Sequence, residues 1–226
     1  MRMKASQTRA AVLCAISALL LVTSSGCGSK SENDEYKKLK VAYQADPENP
    51  EILESLMVSE LLDRNDTKQA IELYETNKDI LSGRVMARVY YATALCRMAG
   101  EAKEPSLQLK YVREGMHEFE ALTDAWPNDG RVYLWQAITY SNFPEMLGAD
   151  KLVTDAIDLV NRKIASGEWT FVEAELRQLV YAYANLAQEF KSSAYLDAAR
   201  EQAARTGLQN DEQAQAAIVS ASKRIK

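Results

Sequence analysis

The sequence has few of the residues that carry most metal and thiol chemistry. Its 226 residues include one His and three Cys, which removes most metal-site and disulfide options. It has nine Gly and five Pro, fewer than the many turns of a β-sandwich normally require. Hydrophobic residues make up 47% of the chain and charged residues 26%, which is the composition of a folded domain. These numbers favour helical structure.

The motifs of the common enzyme families are also missing. The sequence has no Walker A run, GxGxxG, HExxH or GxSxG. Its acidic clusters, Glu32–Glu35, Asp46–Glu54 and Glu114–Glu120, lack the spacing of a calcium-binding loop. We therefore predict a protein that is not an enzyme and that needs no metal or cofactor. An enzyme would require several acids that converge in one cleft with strongly perturbed pKa values.

The first 26 residues have the pattern of an export signal. Arg2, Lys4 and Arg9 supply positive charge, and the apolar run Ala10–Val22 follows. As a helix this run would span about 20 Å, at about 1.5 Å per residue, whereas a bilayer core is about 30 Å thick. We therefore predict that residues 1–26 are a signal peptide and not a membrane-spanning helix.

The segment Ser24–Cys27 resembles the lipobox of bacterial lipoproteins, with Ser24 at the position that usually carries Leu. In that family the cysteine, here Cys27, becomes the first mature residue and carries the lipid anchor. Gly28 and Ser29 follow without an Asp, which by the family's sorting rule implies the outer membrane, facing the periplasm. The alternative is an ordinary cleavable signal in which Cys27 is incidental.

Removal of the signal changes the charge and the cysteine count. The mature chain would carry 24 Lys and Arg against 32 Asp and Glu, a net charge of −8 in place of −5. An acidic chain of this kind is not expected to bind the phosphate backbone of nucleic acid. With Cys14 removed and Cys27 lipidated, Cys96 is the one remaining thiol, so no internal disulfide can form.

The mature chain divides into a short polar segment and a long helical one. We predict that residues 27–35 are the lipidated cysteine and a flexible tether. From Tyr36 onward the apolar spacing is about 3.6 residues, without sustained alternation. The sequence therefore predicts an all-α domain over residues 36–226, in which units of about 34 residues recur.

The clearest unit spans residues 127–160. It opens at a helix boundary marked by Pro127, Asn128 and Asp129. Small and large apolar residues follow at the offsets of two paired helices, and the second half of the preceding unit has the same offsets. These residues are Ala137, Tyr140, Ala149, Val153 and Ala156 in the first case, and Gly115, Phe119, Leu122 and Pro127 in the second.

This pattern resembles the tetratricopeptide repeat, in which small residues let two antiparallel helices approach closely. The resemblance covers about residues 47–206. It implies a right-handed α-solenoid of about four helix pairs with a further C-terminal helix. One more unit opens at Asp46–Glu51, and a looser one joins Trp169–Ala187 to Ser192–Thr206.

Two stretches depart from the regular repeat. Ala99–Pro105 is longer than the usual tight turn between paired helices, and Asp211–Lys226 is predicted to be either a capping helix or a frayed end. A plain helical bundle is the alternative to the solenoid, because it has the same helical period without the longer recurrence.

Two side chains carry chemistry that a scaffold does not need. His117 is a candidate pH switch or general base, but the sequence nominates no nucleophile or metal partner, so an exposed helix face is the favoured interpretation. Cys96 lies near Tyr91, Ala92 and Leu95 in the chain, and we predict that it is a buried small apolar residue.

The repeat resemblance also assigns a partner-binding surface on the concave face. Two of its residues are aliphatic, so either a neighbouring helix covers them, with burial by the preceding unit favoured, or they line a partly apolar groove for a peptide. The implied function is a lipid-anchored cell-envelope scaffold that binds a protein or peptide and is not catalytic. The residues are Arg131, Leu134, Ile138, Ser141 and Asn142.

The loop Asn142–Gly148 supports an alternative function. Pro144 interrupts the helix, and we expect Phe143, Met146 and Leu147 at the edge of the repeat. Together with the export signal, the loop resembles the tetratricopeptide lipoproteins associated with TRAP-type transporters, which are partners of a solute-binding protein. The alternative is therefore an accessory subunit of a solute transport system, which would bind a small ligand or a solute-binding protein.

Overall fold

The computed structural model describes residues 30–225, so the predicted export signal and Cys27 lie outside the described residues. Within this range the chain folds into eleven α-helices and contains no strand. The predicted all-α class is confirmed. The chain divides after Pro127 into two compact units, which are described separately.

From Lys30 onward the first unit contains six α-helices and one π-helix. Asn49 and Asp66 cap two of the α-helices through side-chain oxygens, and Pro50 and Pro105 each occupy a first helical position. In chain order the elements are α1 (Lys30–Ala45), α2 (Pro50–Val58), the π-helix Ser59–Asp63, α3 (Thr67–Thr76), α4 (Lys78–Leu81), α5 (Val85–Glu101) and α6 (Pro105–Ala125).

The second unit contains five α-helices and one 3₁₀ turn. The Asp129 and Ser192 side chains cap two of these helices. In chain order the elements are α7 (Gly130–Tyr140), the 3₁₀ turn Glu145–Leu147, α8 (Asp150–Ala165), α9 (Glu173–Glu189), α10 (Ser193–Arg205) and α11 (Glu212–Ile225).

Two helix starts differ from the sequence predictions. Helix α1 begins at Lys30, inside the segment predicted as a tether. Acidic residues are favourable in the first turns of a helix, so the polarity of this segment did not exclude one. Helix α9 begins at Glu173 instead of Trp169, and residues 169–172 are neither helix nor turn.

Two further stretches are more regular than expected. The connection predicted over residues 99–105 is short, because α5 continues to Glu101 and α6 begins at Pro105. Residues 212–225 form α11, so this stretch is a packed helix and not a frayed end. Burial of Ala214, Ile218 and Ala221 against α9 and α10 holds this helix in place.

The core of the first unit forms around α5, which packs against α2, α3 and α6. The predicted apolar stripe of Leu53, Leu56 and Met57 is fully buried, and Ala70 and Tyr74 are buried on α3. The Tyr74 ring also stacks on Tyr91 of α5, with ring centroids 4.1 Å apart. Burial of this apolar surface supplies the main driving force for folding of the unit.

The core of the second unit forms around α9, which packs against α7, α8, α10 and α11. Its centre combines Val180, Ala184 and Ala187 with apolar residues of α10 and α11. A buried amide pair joins α8 to α10: Asn161 Nδ2 donates to Gln202 Oε1 at 2.8 Å, and Gln202 Nε2 donates to Asn161 Oδ1 at 3.0 Å. Because each amide satisfies the other, the pair fixes the alignment of the two helices without an unpaired polar group.

The π-helix places the carboxylate of Glu60 inside the first unit, where the residue is 2% exposed. Arg64 Nε donates to it at 3.0 Å, Lys40 Nζ lies 3.4 Å away, and the Tyr36 hydroxyl donates a short hydrogen bond. An unpaired buried carboxylate would be strongly destabilising. These three partners satisfy it, and two of them fasten α1 to the rest of the unit.

Helices α5 and α6 approach closely at Gly115. A Cβ added there would overlap the Cys96 Sγ and lie 3.0 Å from the Ala92 carbonyl oxygen. Cys96 is 1% exposed, so the prediction of a buried cysteine is confirmed. Burial raises the pKa of the Cys96 thiol, which keeps it protonated and unreactive.

We expect Gly115→Ala to destabilise the protein. Overpacking costs about 1–3 kcal/mol, and the higher helix propensity of Ala offsets about 1 kcal/mol of this. Adding Cys96→Ala removes the Sγ and should recover part of the loss, as a favourable coupling in a double-mutant cycle. Urea unfolding measures all four free energies. Gly83→Ala is the control, because a Cβ there meets nothing within 4 Å; additivity of the two substitutions would contradict the close contact.

Candidate binding cleft

The five residues predicted to bind a partner differ in their exposure. Arg131 is exposed on the first turn of α7, and Ile138 and Asn142 are half-buried. Leu134 is 2% exposed and Ser141 is fully buried. The side chains of these last two are covered by the protein itself, which was the favoured alternative for the aliphatic positions. The partner-binding role of this face remains a prediction.

Helix α9 covers part of this face of α7. Asn185 Nδ2 lies 3.1 Å from the Ser141 hydroxyl oxygen and 3.2 Å from Asn142 Oδ1. The sequence analysis favoured burial by the preceding repeat unit, whereas these contacts come from a helix that follows in the chain. The register of the repeat predicted which residues share a face but not which helix packs on it.

The loop Asn142–Gly148 also differs from its prediction. Phe143 is 2% exposed, because its ring stacks on Tyr140 with centroids 5.1 Å apart. It therefore belongs to the core and not to the edge of a repeat. Leu147 is 36% exposed as expected, and the side chain of Met146 is not among those described.

A cleft of about 390 Å³ lies at the start of α7. One wall is the helix boundary that precedes and opens α7, and the other is the segment between α8 and α9. Of the five predicted residues, Arg131 lies in this lining. The lining residues are Asn128, Asp129, Gly130, Arg131, Glu168, Trp169, Thr170, Phe171 and Glu175.

Two aromatic rings of the cleft rest directly on Gly130. After α8 the chain turns at Gly167, whose φ of +75° favours glycine, and the Trp169 N–H donates to the Lys163 carbonyl oxygen at 3.1 Å. A Cβ at position 130 would lie 2.6 Å from both Trp169 Cε3 and Phe171 Cζ. Gly130 therefore lets both rings pack against the start of α7, where they remain half-buried.

The charged groups of the cleft hold one another in place. Asp129 accepts hydrogen bonds from Arg131 Nε at 3.0 Å and Nη2 at 2.6 Å, and from the Arg131 backbone N–H at 3.1 Å. These bonds lower the pKa of Asp129 below its usual value. Glu168 pairs with Lys163, which lowers the pKa of that carboxyl. Glu175 Oε2 accepts the Val172 N–H at 2.9 Å.

The segment Trp169–Val172 leaves backbone groups available. Val172 is extended, with φ −77° and ψ 160°. Within the described part of the chain, the backbone N–H groups of Thr170 and Phe171 have no hydrogen-bond partner. The cleft thus combines aromatic surface, unpaired backbone donors and charged groups at its rim.

A second, larger cleft of about 490 Å³ lies at the start of α11. Its central side chain, Arg177, donates to both oxygens of Asp211 at 2.9 and 2.8 Å and to Glu173 at 2.9 Å. Asp211 also caps α11 by accepting the Ala214 N–H at 2.7 Å. No aromatic ring lines this cleft. Since its charged groups fasten α9 to α11, we assign it a structural role.

The one histidine of the chain lies on the surface of α6. The His117 side chain is 84% exposed on α6 and lies 3.8 Å from Glu120, so the prediction of an exposed helix face is confirmed. Over residues 30–225, no three His, Cys, Asp or Glu side chains are placed to share a metal ion. None of the helices described is both long and apolar enough to cross a membrane.

Sequence reasoning missed the cleft. Trp169 and Phe171 fall within the stretch Trp169–Ala187, which the sequence predicts to be part of a looser helical unit, and Asn128 and Asp129 were interpreted only as a helix boundary. Comparisons with family models, curated proteins and solved structures gave no significant match. The function is therefore argued from the residues of the chain.

We expect Gly130→Ala to displace both rings. A Cβ would overlap Trp169 and Phe171, and overpacking of this kind costs about 1–3 kcal/mol of unfolding free energy. Trp169 should become more exposed, so its fluorescence emission should shift to longer wavelength. Its emission is isolated by subtracting the spectrum of the same protein with Trp169→Phe, because the chain has three Trp residues. Gly83→Ala serves as the control. An unchanged Trp169 emission in Gly130→Ala would contradict the packing described.

Proposed function

We propose that this chain is a lipid-anchored scaffold of the cell envelope that binds another protein and is not catalytic. Its helices would stack as tetratricopeptide-like pairs in a right-handed solenoid. The lipid would be attached to Cys27, and the anchor would hold the domain at the outer membrane, facing the periplasm. The partner would be a protein or peptide, not a nucleic acid, because the chain is acidic.

The packing within each unit supports the repeat assignment. Helix α5 packs against α3 and α6, the longer helices before and after it, and α9 packs against α10 and against α7 and α11, which lie two helices away in the chain. In repeat proteins each element contacts mainly its sequence neighbours. The residues at the repeat offsets are also buried where close packing requires it: Gly115, Phe119, Leu122, Ala137, Tyr140, Val153 and Ala156.

The observation that carries the binding role is the pair of half-buried rings beside Arg131. Trp and Arg are among the residues that contribute most to binding at protein interfaces, especially where they sit in a preformed pocket. Here Gly130 fixes the rings and Asp129 fixes the guanidinium before any partner arrives. Because these side chains are already ordered, less conformational entropy is lost when a partner binds.

The alternative, an accessory subunit of a solute transport system, depended on the loop Asn142–Gly148. Burial of Phe143 removes one of the three apolar residues on which that resemblance drew. The scaffold is therefore the proposal that the described residues support better.

Photo-crosslinking in the native organism tests whether the chain binds a protein partner through the cleft. Benzoyl-phenylalanine would replace Val172, which is 65% exposed and adjoins Phe171 and the cleft, in the full chain with Cys27 intact. We expect one dominant crosslinked protein, because a partner in the cleft lies within reach of this position. Adding Trp169→Ala should abolish the product.

The control places the same group at Val219, which is 47% exposed on α11 and outside the cleft lining. Circular dichroism of the Trp169→Ala chain would verify that its helices remain. The same products from both positions, or none from position 172, would contradict binding through the cleft.

A further inference from the structure

We infer that the cleft at the start of α7 recognises an extended peptide in which a large apolar residue is flanked by Lys or Arg. The inference rests on the proposed function, since it specifies the chemistry of the protein partner. Three properties of the cleft lead to it: its free backbone, its rings and its charge.

The backbone between α8 and α9 is suited to pairing with a strand. The Trp169 N–H is bound to the Lys163 carbonyl and the Val172 N–H to Glu175, so both ends of the segment are fixed. Between them, no hydrogen-bond partner in the described chain occupies the N–H groups of Thr170 and Phe171. Consecutive N–H groups of an extended segment point to opposite edges, so one extended peptide can supply a carbonyl oxygen to one of the two. A main-chain hydrogen bond of this kind does not depend on the peptide's sequence.

The two rings supply the selectivity for an apolar residue. Trp169 and Phe171 meet edge to face with centroids 6.4 Å apart, and both are half-buried. Their remaining exposed surface faces a cleft of about 390 Å³. In an extended peptide alternate side chains point to the same side. One large apolar side chain can therefore enter the cleft while the side chains two positions before and after it reach the charged groups of the lining.

The charge of the cleft favours basic flanks. Its lining contains three carboxylates, Asp129, Glu168 and Glu175, against one guanidinium, Arg131, which Asp129 already neutralises. Glu168 pairs with Lys163 at the surface, where its side chain is 54% exposed. Surface ion pairs contribute little to stability, so a cation from the partner can replace Lys163 at small cost.

An oriented peptide library tests this specificity directly. The library would consist of immobilised eight-residue peptides with Phe fixed at the centre and every amino acid represented at each flanking position. The full chain in mild detergent would be used as the probe. We expect Lys and Arg to be enriched at the flanks. Enrichment of Asp or Glu, which would indicate recognition by Arg131, or flanks without preference would overturn the inference.

The charge-reversal variant Glu168→Lys supplies a matched test that leaves the rings in place. It should weaken binding of the selected basic peptide about tenfold, which corresponds to about 1.4 kcal/mol, and strengthen binding of the same peptide with Glu flanks. Fluorescence anisotropy measures both affinities. Equal affinities for the two peptides in both proteins would overturn the basic preference.

The role of the backbone is tested with acetylated versions of the same basic peptide, in each of which one backbone amide is replaced by an ester. Replacing a peptide amide by an ester removes its N–H and weakens its carbonyl as a hydrogen-bond acceptor, without changing the side chains. We expect an ester next to the central Phe to weaken binding several-fold, because the carbonyl there would accept a hydrogen bond from the N–H of Thr170 or Phe171. No effect at any position would overturn strand pairing.

The two proposals fail in different ways. A retained crosslink at position 172 with no basic peptide preference would overturn only the peptide chemistry. A basic peptide that binds the cleft, together with no crosslinked protein in the organism, would overturn the scaffold while the cleft's preference stands.

Discussion

The absence of a side chain at Gly130 is the constraint on which the candidate cleft depends. Any Cβ there would occupy space that Trp169 and Phe171 now fill. The rings would then have to leave the start of α7, and the segment that carries them would lose its main contact. The same residue opens the helix that Asp129 caps and that Arg131 continues. One position thus sets the aromatic wall, the helix start and the charged rim.

Close approach at small residues also explains how the core forms without cross-links. Gly115 lets α6 reach the Cys96 side of α5, and alanines dominate the α9 and α10 contact. Small side chains leave little room for error in packing, so each pair of helices needs a second feature that fixes its alignment. The buried pair Asn161 and Gln202 has this property in the second unit, and Glu60 with its three partners has it in the first.

The helical class and several helix starts could be predicted from the sequence, because apolar periodicity and helix capping are local signals. Pro50, Pro105 and Asp129 each mark a helix start that the structure contains. The cleft could not be predicted, because its walls are separated in sequence and neither has a pattern of its own. In the sequence, Trp169 opens a stretch that is predicted to be helical and cannot be distinguished from a core aromatic residue. The structure shows that its ring packs on Gly130 and remains half-buried.

Two of the segments that leave the regular α-helical geometry differ in how they satisfy their polar groups. In the π-helix, Glu60 is enclosed and bound by Tyr36, Lys40 and Arg64, so it offers nothing to a ligand. Between α8 and α9, the ends of the segment are fixed while the middle keeps unpaired N–H groups beside exposed rings. π-Helices are frequent at functional sites, yet here the satisfied one has a structural role. The unsatisfied segment is the one that a partner can complete, because forming its missing hydrogen bonds requires no internal bond to break.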